Sequence, residues 1–149
     1  MNKCLWSVLG CMVFVCAACD YREKNKDIIS LKADGLYKII PVQNFDQANL
    51  DSCVKPLPLD EQSGFIHTSY GSQASSVLDK FFKSAGKLVI LELDADVLKK
   101  NGTHVQVEAN KPGGTKYPHL YGVQKIPHAA VKKVIIIYET ADSKWSEKG

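Results

Sequence analysis

Past residue 53 the chain has no cysteine, and the other four of its five, Cys4, Cys11, Cys16 and Cys19, fall within the first 19 residues. A disulfide framework needs pairs inside the folded body, and Cys53 has no second cysteine there to meet. The body therefore folds without internal disulfides, whichever compartment it occupies. No apolar run reaches the roughly 18 residues expected of a membrane-spanning helix. Low-complexity tracts and internal repeats are absent, as are Gly-x-Ser-x-Gly, a phosphate-binding loop and Gly-x-Gly-x-x-Gly. Those absences exclude the motif-borne forms of hydrolase, nucleotidase and dinucleotide-binding chemistry. Neither sign of charge dominates: 19 basic and 16 acidic residues leave a net +3. Without a concentrated basic face, nucleic acid is not an expected partner. The four histidines, His67, His104, His119 and His128, show none of the helical or Cys-x-x-Cys spacings of a metal centre, so no metal is expected.

What is there is a chain of 149 residues, 45% hydrophobic and 23% charged, suited to one globular domain. Its N-terminus is organised for export. Met1-Asn2-Lys3 is a short, weakly basic start, and Leu5 to Ala18 is an apolar run of signal-peptide length. The run ends in Cys16-Ala17-Ala18-Cys19, which resembles the bacterial lipobox with Cys16 in place of the usual Leu or Val. Small residues suit a narrow peptidase cleft, and the Cys19 thiol would take a diacylglycerol as a thioether. Residues 1–18 are thus expected to be a lipoprotein signal peptide, with Cys19 lipidated and residues 19–35 a charged tether. An ordinary secretory signal and a buried N-terminal helix are the alternatives. Asp20 resembles the signal that retains lipoproteins in the inner membrane, which favours an anchor on its periplasmic face. Acyl chains of this kind bind membranes at about 0.8 kcal/mol per buried methylene.

The body reads as an α+β domain over residues 36–140, with 141–149 a polar tail. Leu36-Tyr37-Lys38-Ile39-Ile40 predicts a strand stopped by Pro41, and Asn44 caps a short helix through Leu50. Pro56 and Pro58 mark an extended connection, and Gly64 to Thr68 predicts a second strand. Ser72 or Ser75 caps a helix whose Val77, Leu78, Phe81 and Phe82 share one face, with Gly86 ending it. Leu88 to Leu93 has few polar interruptions and reads as a central strand. Asn101-Gly102 is a turn, although with Thr103 it also spells a glycosylation sequon. From His104 to Glu108 the strand alternates, with Val105 and Val107 on one face and His104, Gln106 and Glu108 on the other. Lys111 to Lys116 is a Gly-Pro loop, Ala129 to Val131 a helical turn, and Val134 to Tyr138 the last strand.

Four segments together resemble the bacterial domain-of-unknown-function 952 proteins. They are Tyr37-Lys38-Ile39-Ile40; Gly64-Phe65-Ile66-His67-Thr68-Ser69 with Gln73; Phe81-Phe82 followed by Leu88 to Asp94; and Tyr117-Pro118-His119-Leu120-Tyr121-Gly122. Glu108 falls where the family has a Trp-Glu pair, and Gly113-Gly114 in its Gly-rich loop. The chain departs from the pattern near Glu108, where Gln or Val replaces the tryptophan, at Phe45, which replaces another, and at Asn110-Lys111-Pro112, where an arginine is usual. A lipobox is also unusual in a family that is mostly cytosolic. The resemblance implies a strongly bent, split mixed or antiparallel sheet with short helices, like that of the ADP-ribosyltransferases, and a cleft that takes NAD as substrate.

Breaking the nicotinamide–ribose bond builds positive charge at the anomeric carbon, as in glycoside cleavage. Such a site wants a carboxylate near that charge, a group fixing the ribose hydroxyls and an aromatic face for the leaving ring. Glu108 and His67 are the candidate catalytic residues. Ser69, Gln73, His119 and Tyr121 are the candidate ligand-binding residues. Each also has a structural reading: His67 as a hydrogen-bonded core histidine, Glu108 as part of a solvated face, Tyr121 as a packed aromatic, Cys53 as a small buried hydrophobe. Two functions of different class follow. One is an enzyme acting on NAD or an ADP-ribosylated compound. The other is a non-catalytic, lipid-anchored module that binds a small molecule or a protein at the envelope, where NAD is scarce.

Overall fold

The computed structural model describes residues 29–45 and 53–147. The signal-like segment, Cys19, most of the tether and the helix expected after Asn44 lie outside the described residues. Among the described residues the chain forms ten strands and three short α-helices. They run β1 (Leu36–Pro41), β2 (Cys53–Val54), α1 (Pro58–Ser63), β3 (Ile66–His67), β4 (Ser69–Tyr70), α2 (Ala74–Phe81), β5 (Lys87–Leu93), α3 (Ala95–Lys100), β6 (His104–Ala109), β7 (Lys116–Tyr121), β8 (Ile126–Pro127), β9 (Val131–Glu139) and β10 (Trp145–Ser146). The expected α+β class holds, with all strand pairs antiparallel.

The strands divide into a five-stranded sheet ordered β10-β9-β5-β1-β4, a three-stranded sheet ordered β3-β7-β6, and the small β2-β8 pair. β5 lies in the middle of the large sheet, as its apolar run predicts. Its alternate residues enter two cores: Leu88 and Ile90 pack with Val77 and Leu78 of α2, while Val89, Leu91 and Leu93 pack with Ile66, Leu98 and Leu120. A strand covered on both faces has no polar side to show.

The chain leaves one sheet for the other at Thr68, between β3 and β4. Its N–H and hydroxyl both donate to the Pro118 carbonyl, at 3.2 and 2.5 Å. β4 then pairs with β1 only at Leu36 and Tyr37, so it does not line the β1 edge from Lys38 onward. A pocket lined in part by Lys38 and Ile39 opens at that edge. Residues before β1 dock alongside: Gly71 donates its N–H to the Gly35 carbonyl, and a Cβ on Gly71 would sit 2.0 Å from the Lys32 carbonyl oxygen. Only glycine permits that approach.

Several local expectations are corrected. Pro58 does not extend a connection; it opens α1 at the first helical position, where its missing N–H costs nothing. α2 begins after Gln73 without a serine cap and ends at Phe82, and Gly86 turns at φ 70° into β5. Asp94 starts the unforeseen α3 by accepting the N–H groups of Asp96 and Val97. Asn101 and Gly102 close it. Val105 and Val107 are 37% and 47% exposed, because β6 is an edge strand whose apolar face meets no other layer among the described residues. β9 is not the last strand. Trp145 of β10 pairs with Glu139 and is buried beside Ile135 and Ile137, within the stretch read as a polar tail.

Replacing Trp145 by alanine is expected to destabilise the protein by roughly 3 kcal/mol, the usual cost of emptying a buried aromatic site. A urea titration followed by circular dichroism checks this, and an unchanged midpoint would restore the polar-tail reading.

Candidate functional site

The site is built on two carboxylate–imidazole pairs facing each other across β3 and β7. The first begins with Lys38, whose charge interrupts the apolar strand β1. A buried ammonium needs a partner, and Asp60 in the first turn of α1 supplies it at 2.6 Å. The same carboxylate accepts the N–H of Leu57 at 2.8 Å, which anchors the start of α1. It also accepts the His67 N–H and meets His67 Nδ1, both at 2.9 Å. Burial would push the Asp60 carboxyl up, but the His67 hydrogen bonds and the Lys38 charge outweigh it and hold it well below the ordinary carboxylate range. Burial pushes the Lys38 ammonium down, and Asp60 pulls it back. With Asp60 ionised it can only accept, so the proton on the neutral His67 ring sits at Nδ1 and Nε2 carries the lone pair.

The second pair lies across the ladder, where His119 is the register partner of His67. His119 is 1% exposed. Its Nδ1 stands 3.1 Å from Glu108 Oε1, which also accepts the Tyr121 hydroxyl at 2.5 Å. Gln106 donates to the other Glu108 oxygen at 2.7 Å. Hydrogen bonds from Tyr121 and then His119 hold the Glu108 carboxyl down. The same bond pushes the Tyr121 phenol up. Burial lowers the His119 imidazole, only partly offset by Glu108. With Nδ1 facing the Glu108 carboxylate, the neutral His119 ring carries its proton at Nδ1, and its buried Nε2 has no hydrogen-bond partner among the described residues. Phe65 stacks on His119 at 4.2 Å and leans on His67 at 4.7 Å, and the two imidazoles meet edge to face at 5.2 Å.

A half-open pocket of about 120 Å³ lies against these rings. Its polar lining includes Lys38, Asp60, His67, Ser69, Asn110 and His119. Val77, Phe81, Phe82, Tyr117 and Leu59 supply apolar walls. Phe81 and Leu59, 53% and 58% exposed, form an apolar rim. Ser69 Oγ, like His119 Nε2, is buried without a hydrogen-bond partner among the described residues. Buried polar atoms are nearly always satisfied, and two of the three orphans among the described residues belong to side chains of this pocket, the third being Thr103 Oγ1 elsewhere.

The structure thus brings His67, Ser69 and His119 together on the pocket. Glu108 stands behind His119 as its hydrogen-bond partner, Tyr121 bonds Glu108 in turn, and neither lines the pocket. Gln73 ties backbone, accepting the Tyr70 N–H and donating to the Lys116 carbonyl. Sequence reasoning missed Lys38 and Asp60 as site residues. The signal for Lys38 was available: one cation inside an apolar strand demands a buried anion. Among the described residues no cluster of three or more metal-ligating side chains occurs, and no helix is long and apolar enough to cross a membrane.

The family model for a protein of unknown function (DUF952) matches residues 39–134, and the chain belongs to that family. Its fold is similar to the crystal structure of protein CC0527 from Caulobacter crescentus, with a TM-score of 0.61 at 28% identity, over 75% of this chain and 93% of that one. The solution NMR structure of CC0527 gives a TM-score of 0.59 at 29% identity, over 74% and 90%. No curated protein matches the chain.

Asp60→Asn leaves the Lys38 ammonium buried without a counter-charge, and a loss of about 3–5 kcal/mol is expected. The sign with pH follows from the depressed Asp60 carboxyl. Its contribution is complete above the unfolded value near 3.9 and is lost as pH falls towards the lower folded value. Thermal midpoints measured from pH 6 down to about pH 2 should therefore fall less steeply in Asp60→Asn than in the wild type. Parallel curves would show that Asp60 is not held down by the fold.

Proposed function

We propose that this domain is a lipid-anchored member of its family that binds NAD or an ADP-ribosyl compound, with an ADP-ribosyltransferase-like cleft seating one ring of the ligand. The observation that carries the reading is that His119, whose buried Nε2 has no hydrogen-bond partner among the described residues, lines a pocket of about 120 Å³. A dry cavity of roughly 150 Å³ accommodates a benzene ring, so the volume here suits one six-membered ring and leaves the rest of a dinucleotide outside. His67 and His119 then contact the ring and its ribose. Glu108 acts through His119 in the arrangement described, and a direct role at the anomeric carbon requires it to release Tyr121 and His119.

That engagement of Glu108 by two partners favours a second reading, a non-catalytic envelope module that binds a small molecule or a protein. Residues 1–18 are proposed to be removed as a signal peptide, with Cys19 carrying the lipid on the periplasmic face of the inner membrane. The lipobox-like Cys16-Ala17-Ala18-Cys19 and the Asp20 that follows support this.

Calorimetric titration of the full chain in mild detergent with NAD, ADP-ribose and nicotinamide tests the binding. Saturable heat that disappears in His67→Ala is expected; its absence from a folded protein would remove NAD and leave the envelope module. For the anchor, Cys19→Ser should abolish incorporation of labelled palmitate and move the protein out of the detergent phase. Equal labelling of both forms would place the lipid elsewhere or nowhere.

A further inference from the structure

We infer that the pocket selects an uncharged ring carboxamide over the matching carboxylate or amine, reading the amide carbonyl with Lys38 and the amide N–H with His119. The inference rests on the proposed site and names the chemistry of the group that enters it.

The complementarity follows from what each polar atom still needs. His119 Nε2 is buried, bears a lone pair because Nδ1 faces the Glu108 carboxylate, and has no donor beside it. It requires a ligand N–H or O–H. Lys38 is 2% exposed and has three N–H donors, of which Asp60 takes one. It requires an acceptor. Ser69 Oγ, also buried and without a partner among the described residues, serves as either. A carboxylate offers only acceptors, so it leaves His119 unsatisfied and brings a negative charge towards Asp60 and Glu108. An ammonium offers only donors and faces the Lys38 cation. A carboxamide carries one acceptor and two donors on the same carbon. Its ring would lie among Val77, Phe82 and Tyr117, in a volume of about 120 Å³.

The test uses the full chain in detergent with benzamide, benzoate and benzylamine as probes, followed by calorimetry and by the 15N resonance of His119 Nε2. Benzamide should bind at least about tenfold more tightly than either charged analogue, the scale of leaving a buried polar group unpaired. It should also move the Nε2 resonance upfield as that atom gains a donor. Lys38→Met, shown folded by circular dichroism, should reduce benzamide affinity and narrow its margin over benzylamine. Should that variant not fold, the wild-type resonance still decides. Equal binding of benzamide and benzoate, an unmoved His119 resonance, or no binding of any probe would overturn the inference. NAD binding without an amide preference overturns it and spares the proposed function, whereas amide preference without NAD or ADP-ribose binding does the reverse.

Discussion

The Asp60 carboxylate is the constraint on which the rest of the site depends. Four hydrogen bonds reach it, from Lys38 Nζ, the Leu57 N–H, and the His67 N–H and ring. These come from β1, the start of α1 and β3, elements that share no continuous ladder. A neutral residue of the same size would hold the helix start but abandon the ammonium. A buried pair of this kind adds little net stability compared with a well-packed apolar substitute, while loss of one member is severe. Its contribution is to specify geometry: it fixes which nitrogen of His67 carries the proton and where the ring stands.

The split between the sheets turns that geometry into a pocket. Because the chain changes sheet at Thr68, His67 stays on the three-stranded sheet while Ser69 joins the five-stranded one. Residues two apart in the chain thereby reach one cavity from two layers. β7 brings His119 opposite His67, and β6 brings Glu108 behind His119. Each imidazole is thus held at Nδ1 by its own carboxylate, which fixes the ring's orientation. The aromatic stack of Phe65 on His119 locks the ring plane in the same way.

How much of this could be read from the chain depends on the range of the forces involved. The run from Leu88 to Leu93 announced a strand covered on both faces, and β5 is central. The motif histidines His67 and His119 prove to be direct cross-strand neighbours. Short elements escaped: α1 and α3 are six residues each, too brief for a hydrophobic period, though Pro58 and Asp94 are legible starts. Alternation in β6 separated two faces without saying that the valine face stays open, because that depends on β6 lying at an edge. Trp145 looked like part of a polar tail because its neighbours are polar, yet pairing with β9 buries it. Lys38–Asp60 is a contact between residues 22 apart, and no local pattern selects Asp60 among the acidic residues.

The central claim is that each carboxylate holds the neutral form of its imidazole with Nδ1 protonated and Nε2 bare. Long-range 1H–15N correlation of the histidine side chains at neutral pH tests it most directly. The account predicts that His119 gives the pattern of a neutral ring protonated at Nδ1, and that any neutral population of His67 gives the same tautomer. A neutral Nε2–H pattern at either residue would contradict it, since the carboxylate would then face a lone pair and the pocket a donor.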